Sequence, residues 1–191
     1  SFFVENFDSE FVEFFEGFKD MDGAFLENAK LGFVVILILM KWIDEKCFFK
    51  VLKKFKLPGH FEVREAKNRV IVFDVAHTVN SVKNLVNNLN KSFKNKRFVF
   101  LMALMKDKDK NGILKIISDI ADKVVFTNAH KLRGESPEIS ADLAGKFGLK
   151  KVFIAQEPSI AYKDILTTLK ENEVLVVTGS HFLVGKTLGK R

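Results

Sequence analysis

The stretch Arg69-Val70-Ile71-Val72-Phe73-Asp74-Val75-Ala76-His77-Thr78-Val79-Asn80 decides how the chain is read. Val70 to Phe73 form a short apolar run rich in β-branched residues, the mark of a buried strand. It ends on an acid, a small residue and a histidine. From Asn80 onward the period changes, with Val82, Leu85, Val86 and Leu89 recurring at helical spacing. A strand that stops at Asp74, turns through Ala76-His77 and opens a helix sets polar side chains at the carboxyl end of a parallel sheet. In open α/β sheets that edge binds ligands. Asp74 and Asn80 read equally well as turn and helix caps.

Downstream of this stretch the alternation is regular. Strands are expected at 97–103, 123–127, 151–155 and 174–178, with helices near 111–121, 136–147 and 158–171 between them. Such βαβ units imply right-handed crossovers and a mostly parallel sheet. Upstream, 60–65 reads as a further strand joined to 69–73 by the turn Ala66-Lys67-Asn68. Residues 1–20 carry Phe7, Phe11, Phe14, Phe15 and Phe18 at spacings of three and four, which predicts an amphipathic helix. A second helix is expected at 24–44 and a short basic one from 44 to 56, closed by Leu57-Pro58-Gly59. The apolar run between Lys30 and Lys41 is too short to span a bilayer, and the acidic start lacks the order of a signal peptide. No membrane partner is expected.

The chain of 191 residues supports one good core, with room for part of another domain. A single cysteine, Cys47, excludes an internal disulfide framework and a cysteine zinc cluster, and is compatible with a reducing, cytoplasmic setting. Residues 1–28 hold eight acids and one base, Lys19. A net −7 there, against +7 for the whole chain, leaves +14 for the remainder. That surface attracts anions. Its lysines are scattered, with no RNP-like or helix-turn-helix pattern, so nucleic acid is not the expected partner.

Two motifs fail on inspection. Asp107-Lys108-Asp109-Lys110-Asn111-Gly112 matches the first half of a calcium loop, but the twelfth position is Ser118 where a bidentate glutamate belongs. Gly179 to Thr187 resembles a phosphate-binding loop with one residue too many between its glycines. With four residues left after Thr187, no helix was expected to follow it. No metal-ligating set is assigned.

What remains is a row of polar groups at successive strand ends: Asp74 and His77, Lys106 and Asp107, Arg133, and Gly179-Ser180. A Gly-Ser pair after an apolar strand offers backbone N–H groups and a hydroxyl to a carboxylate or phosphate. An arginine grips either anion in bidentate fashion. Lys106, Asp107 and Arg133 are therefore candidate anion or loop contacts.

Phe73-Asp74-Val75-Ala76-His77, Met102 to Asp109 and Val177 to Val184, in that order and spacing, resemble the C-terminal domain of folylpolyglutamate synthase/dihydrofolate synthase, in the Mur ligase superfamily. Gly23 to Ala29 is similar to the segment leading into that family's interdomain helix, and Leu57 to Glu62 to its Pro-Gly-Arg-Phe-Glu turn. The resemblance runs over roughly residues 20–188. It implies a Rossmann-like, mostly parallel sheet flanked by helices and preceded by a helical interdomain segment.

The resemblance also implies an activity. Enzymes of this kind use ATP and Mg²⁺ to phosphorylate a folate or dihydropteroate carboxylate, and the amine of L-glutamate then attacks the acyl phosphate. By resemblance Asn28, His60 and Asp74 fall on the nucleotide side, and His77 and Ser180 beside the glutamate. No residue of this chain is assigned a catalytic role. Three departures stand out: Phe25 for a glutamine, His60 for an arginine, and Thr78-Val79 for Asn-Pro. No GxxxxGK[ST] loop occurs in the sequence, so the ATP-binding domain that would hold most of the ATP and Mg²⁺ is expected as a separate, missing part. The expected organisation is 1–22 as a remnant of that domain, 23–58 as interdomain helical segment and 59–191 as glutamate ligase domain. The chain is expected to be inactive alone. A Mur-type ligase for another amino acid and a non-enzymatic anion- or partner-binding module are the competing readings.

Overall fold

The structure, a computed structural model, describes Asn28, Leu31, Gly32, Val35, residues 57–66 and residues 68–189. The helices expected at 1–20 and 44–56, most of the one at 24–44, and Phe25 lie outside the described residues. The chain divides into two compact units, Ser1–Lys56 and Leu57–Arg191. In the first, Asn28 is helical and exposed. All that follows concerns the second.

Its elements are β1 (Glu62–Ala66), β2 (Arg69–Phe73), α1 (Val79–Ser92), β3 (Arg97–Met102), α2 (Lys110–Ser118), β4 (Ala121–Thr127), α3 (Pro137–Lys146), β5 (Val152–Ala155), α4 (Pro158–Thr168), β6 (Glu173–Thr178) and α5 (His181–Leu188). The six strands form one sheet in the order β1-β2-β6-β3-β4-β5. β1 is antiparallel to β2 through a hairpin registered Ala66 to Arg69, and the other pairings are parallel. Asn68 in that hairpin takes φ 62°, the left-handed conformation that tight hairpins require and asparagine tolerates.

The period-two pattern sorts the strands into two faces. Val72, Phe98, Phe100, Met102, Val124, Phe126, Val174 and Val176 pack with α1, α2 and α3. Ile71, Phe73, Val99, Leu101, Val125, Leu175 and Val177 pack with α4 and α5. Right-handed crossovers explain the division. The chain moves one way along the sheet from β2 through β5 with its helices on one face, then returns from β5 to β6 with α4 on the other. β6 thereby lands between β2 and β3. Its exit loop turns to the opposite face from theirs, which makes the carboxyl ends of β2, β6 and β3 the topological switch point.

Helix starts are set by local chemistry. Thr78, not Asn80, caps α1, and a reciprocal box with Ser81 satisfies two backbone donors. Asp109 caps α2, accepting from the Gly112 N–H at 2.9 Å. Ser136 caps α3 with Pro137 in its first turn. The strand expected from residue 60 begins at Glu62. A helix that the strand-and-helix alternation does not announce, α5, follows Ser180. It was missed because only eight residues form it. Lys186 and Thr187 lie in its last turn, not at its amino end, so the motif is still not a phosphate-binding loop.

Candidate functional site

Three loops are stitched together at the switch point. The Asp74 N–H donates to the Val177 carbonyl at 3.0 Å, and the Gly179 N–H to the Ala76 carbonyl at 2.9 Å. The buried Thr178 hydroxyl donates to that same carbonyl at 3.2 Å. Gly179 takes φ 95°, and a Cβ there would sit 2.7 Å from the Ala103 carbonyl oxygen. Only glycine combines that backbone with so close an approach of the β3 exit loop.

Asp74 does what a turn acid does. Its two carboxylate oxygens accept from the N–H groups of Phe61 at 2.9 Å and Ala76 at 2.7 Å. His77 follows. Its Nδ1 lies 2.8 Å from the Val75 carbonyl, which only accepts, so Nδ1 carries the hydrogen and Nε2 keeps a lone pair. Ser180 is buried and begins α5, its hydroxyl oxygen accepting from the Phe182 N–H at 3.1 Å. The hydroxyl hydrogen is left to donate. The positive end of the α5 dipole lies there too, favouring an anion.

His181, to which sequence reasoning gave no role, packs its ring against His77 with centroids 5.0 Å apart. Burial first, then the nearby His77 and His60, push His181 below the ordinary histidine value. His60 itself is exposed, in the turn held by the Val75 N–H bond to the Gly59 carbonyl at 2.8 Å. The only sequence signal for His181 was its position, one past Ser180 at a strand end.

Lys106, Asp107 and Arg133 form a second group on the same edge, where the loops after β3 and β4 meet. The Lys106 N–H donates to the Arg133 carbonyl at 3.1 Å, and Lys106 Nζ to the Leu132 carbonyl at 3.1 Å. Asp107 pairs with Lys108 at 3.2 Å. The hydrogen bond from Lys108, with the Arg133 charge adding, holds its carboxyl below the usual range. The two groups are linked by His130. It accepts the Arg133 N–H on Nδ1 at 3.1 Å and stacks on Phe182 with centroids 4.5 Å apart. Asn28 lies in the other unit. Among the described residues no group of three or more His, Cys, Asp or Glu is placed to hold a metal ion, and no helix is long and apolar enough to cross a membrane.

This is a doubly wound α/β domain with its polar loops gathered at the carboxyl edge of the sheet. The family model of the Mur ligase, glutamate ligase domain, matches residues 59–181, and the chain belongs to that family. The dihydrofolate synthase/folylpolyglutamate synthase of Buchnera aphidicola is 28% identical over 76% of this chain and 34% of its own length. The UDP-N-acetylmuramoyl-L-alanyl-D-glutamate–2,6-diaminopimelate ligase of Aquifex aeolicus is 26% identical over 78% of this chain and 32% of its own. This chain thus spans about a third of the curated relatives it matches. The folylpolyglutamate synthase of Mycobacterium tuberculosis, complexed with ADP, superposes with a TM-score of 0.74. It is 24% identical and covers 89% of this chain and 41% of its own, a likeness of fold.

Proposed function

We propose that this chain is the glutamate ligase domain of an ATP-dependent ligase joining L-glutamate to a carboxylate of a folate or dihydropteroate. A separate ATP-binding domain would complete the site. The observation that carries this reading is the placement of His77 and Ser180 on loops joined by the Gly179 to Ala76 hydrogen bond. An amino acid presents an ammonium group and a carboxylate. The His77 Nε2 lone pair suits the first, and the Ser180 hydroxyl at the start of α5 suits the second.

ATP, when bound, would supply the phosphoryl group that activates the acceptor carboxylate. The exposed His60 is the residue of this domain proposed to face the nucleotide. Asp74, with its oxygens on the Phe61 and Ala76 amides, contributes by holding the His60 turn against the His77 loop. Mg²⁺ belongs in this reading to the nucleotide and the ATP-binding domain. Lys106 and Arg133 stand ready for an anionic part of the acceptor.

A second reading keeps the chemistry and changes the amino acid. The Aquifex aeolicus relative favours it, since His77 and Ser180 recognise groups common to all amino acids. Calorimetric titration of the chain with L-glutamate and with ATP·Mg²⁺, repeated on Ser180→Ala, tests the site. Glutamate binding that Ser180→Ala abolishes is expected. Addition of the ATP-binding domain should then give folate- and glutamate-dependent ADP formation. Preference for diaminopimelate would replace the first reading with the second, and silence with every amino acid would leave a non-enzymatic module.

A further inference from the structure

Three histidines from three separate elements meet at the switch point: His60 from the turn before β1, His77 from the loop after β2, and His181 from the start of α5. His77 Nδ1 donates to the Val75 carbonyl at 2.8 Å, and His60 Nδ1 lies 3.4 Å from the Pro58 carbonyl. His181 lies against it with ring centroids 5.0 Å apart and planes inclined by 57°, too close for both rings to carry a charge comfortably. As the first residue of α5, His181 also sits at the positive end of a helix dipole, which again disfavours a cation. Asp74, the acid of the same loop, accepts from the Phe61 and Ala76 amides. His130, on the β4 loop, stacks on Phe182 and adds no anion.

We propose that His181 is a positioning residue for the incoming amino acid, pairing with His77 so that a ring lone pair, not a second cation, meets the ammonium group. This rests on the reading of His77 and Ser180 as the amino-acid site. Burial first, then His77 and His60, lower the proton affinity of His181, which points the same way. The His181 ring therefore brings no second positive charge to the amine.

Two measurements on the full chain test this. In ring-resolved NMR titrations, the His181 midpoint should rise in His77→Gln and, by less, in His60→Gln. An unmoved midpoint overturns the coupling. The second compares L-glutamate with glutarate, which lacks the amine, as calorimetric probes at pH 6. His181→Lys, which places a fixed cation beside His77, should weaken glutamate binding about tenfold and leave glutarate binding unchanged or tighter. Equal weakening of both ligands overturns the proposal and leaves His181 a packing residue. Wild type binding neither ligand refutes the amino-acid site itself and the amine assignment with it, a failure distinct from a lost difference between the two probes.

Discussion

The backbone N–H of Phe61 donates to Asp74 Oδ2 at 2.9 Å, a bond across thirteen positions of sequence that fastens the Gly59-His60 turn to the end of β2. Phe61 has φ 45°, a region that costs a non-glycine residue of its size free energy. The charged acceptor, with the Phe61 ring packed on Phe93 at 6.5 Å, holds it there. Removal of the acceptor should release the turn. Asp74→Ala is expected to lose about 1.5–3 kcal/mol of stability, the range for hydrogen bonds to charged groups. Asp74→Asn, which keeps an oxygen for one of the two amides, should lose less. Urea denaturation of the two variants checks the order. Equal losses would mean that the side chain's shape, not its acceptors, matters.

Gly179 and Gly145 should respond to alanine with opposite signs. At Gly179 the added Cβ meets the Ala103 carbonyl at 2.7 Å on a backbone with φ 95°, so a loss of about 2 kcal/mol or more is expected. At Gly145, inside α3, nothing lies within 4 Å of the added Cβ, and alanine should stabilise by about 0.5–1 kcal/mol through helix propensity. Thermal melts of both variants suffice. A tolerated Gly179→Ala would show that the β3 and β6 loops are looser than this packing implies.

Much of this architecture was legible in the sequence for a physical reason. Buried parallel strands are apolar runs, and the helices between them carry a 3.6-residue period, so β3, β4, β6 and α1 announce themselves. α5 does not, because its eight residues give too short a pattern. The caps were also misplaced by two residues at α1, since asparagine and threonine are both good caps and only the Ser81 box decides between them. Strand-end position put Asp74, His77 and Ser180 together at the carboxyl edge of β2 and β6, where the structure has them. It gave no weight to His181, whose ring contact with His77 joins residues over a hundred positions apart.

Acid should weaken the loop cluster through Glu135. Burial opposes its ionisation, yet hydrogen bonds from Lys110 and the Ser136 amide, with the charges of Lys110 and Lys106, hold its carboxyl below the ordinary value of 4.5. The Lys110 to Glu135 pair is 3.1 Å long with both side chains mostly covered. A carboxyl lowered by folding contributes stability that is complete above its unfolded value and lost as pH falls through its folded one. Stability should therefore drop below about pH 4.5, and Glu135→Gln should flatten part of that drop while lowering stability at pH 7. A variant with an unchanged acid limb would remove Glu135 from the account.

Ser180 offers a way to separate folding from binding. Its oxygen caps α5, and Ser180→Ala should cost about 1 kcal/mol, the usual value of a cap. Ser180→Asp supplies an equally good cap oxygen and adds a negative charge at the helix amino end, so stability should be held or raised. An aspartate cannot donate to a carboxylate and repels it. If Ser180 receives the amino acid's carboxylate, Ser180→Asp should bind L-glutamate no better than Ser180→Ala while melting at or above the wild-type temperature. Retained glutamate binding in a stable Ser180→Asp would confine Ser180 to its cap and move the carboxylate site elsewhere on the edge.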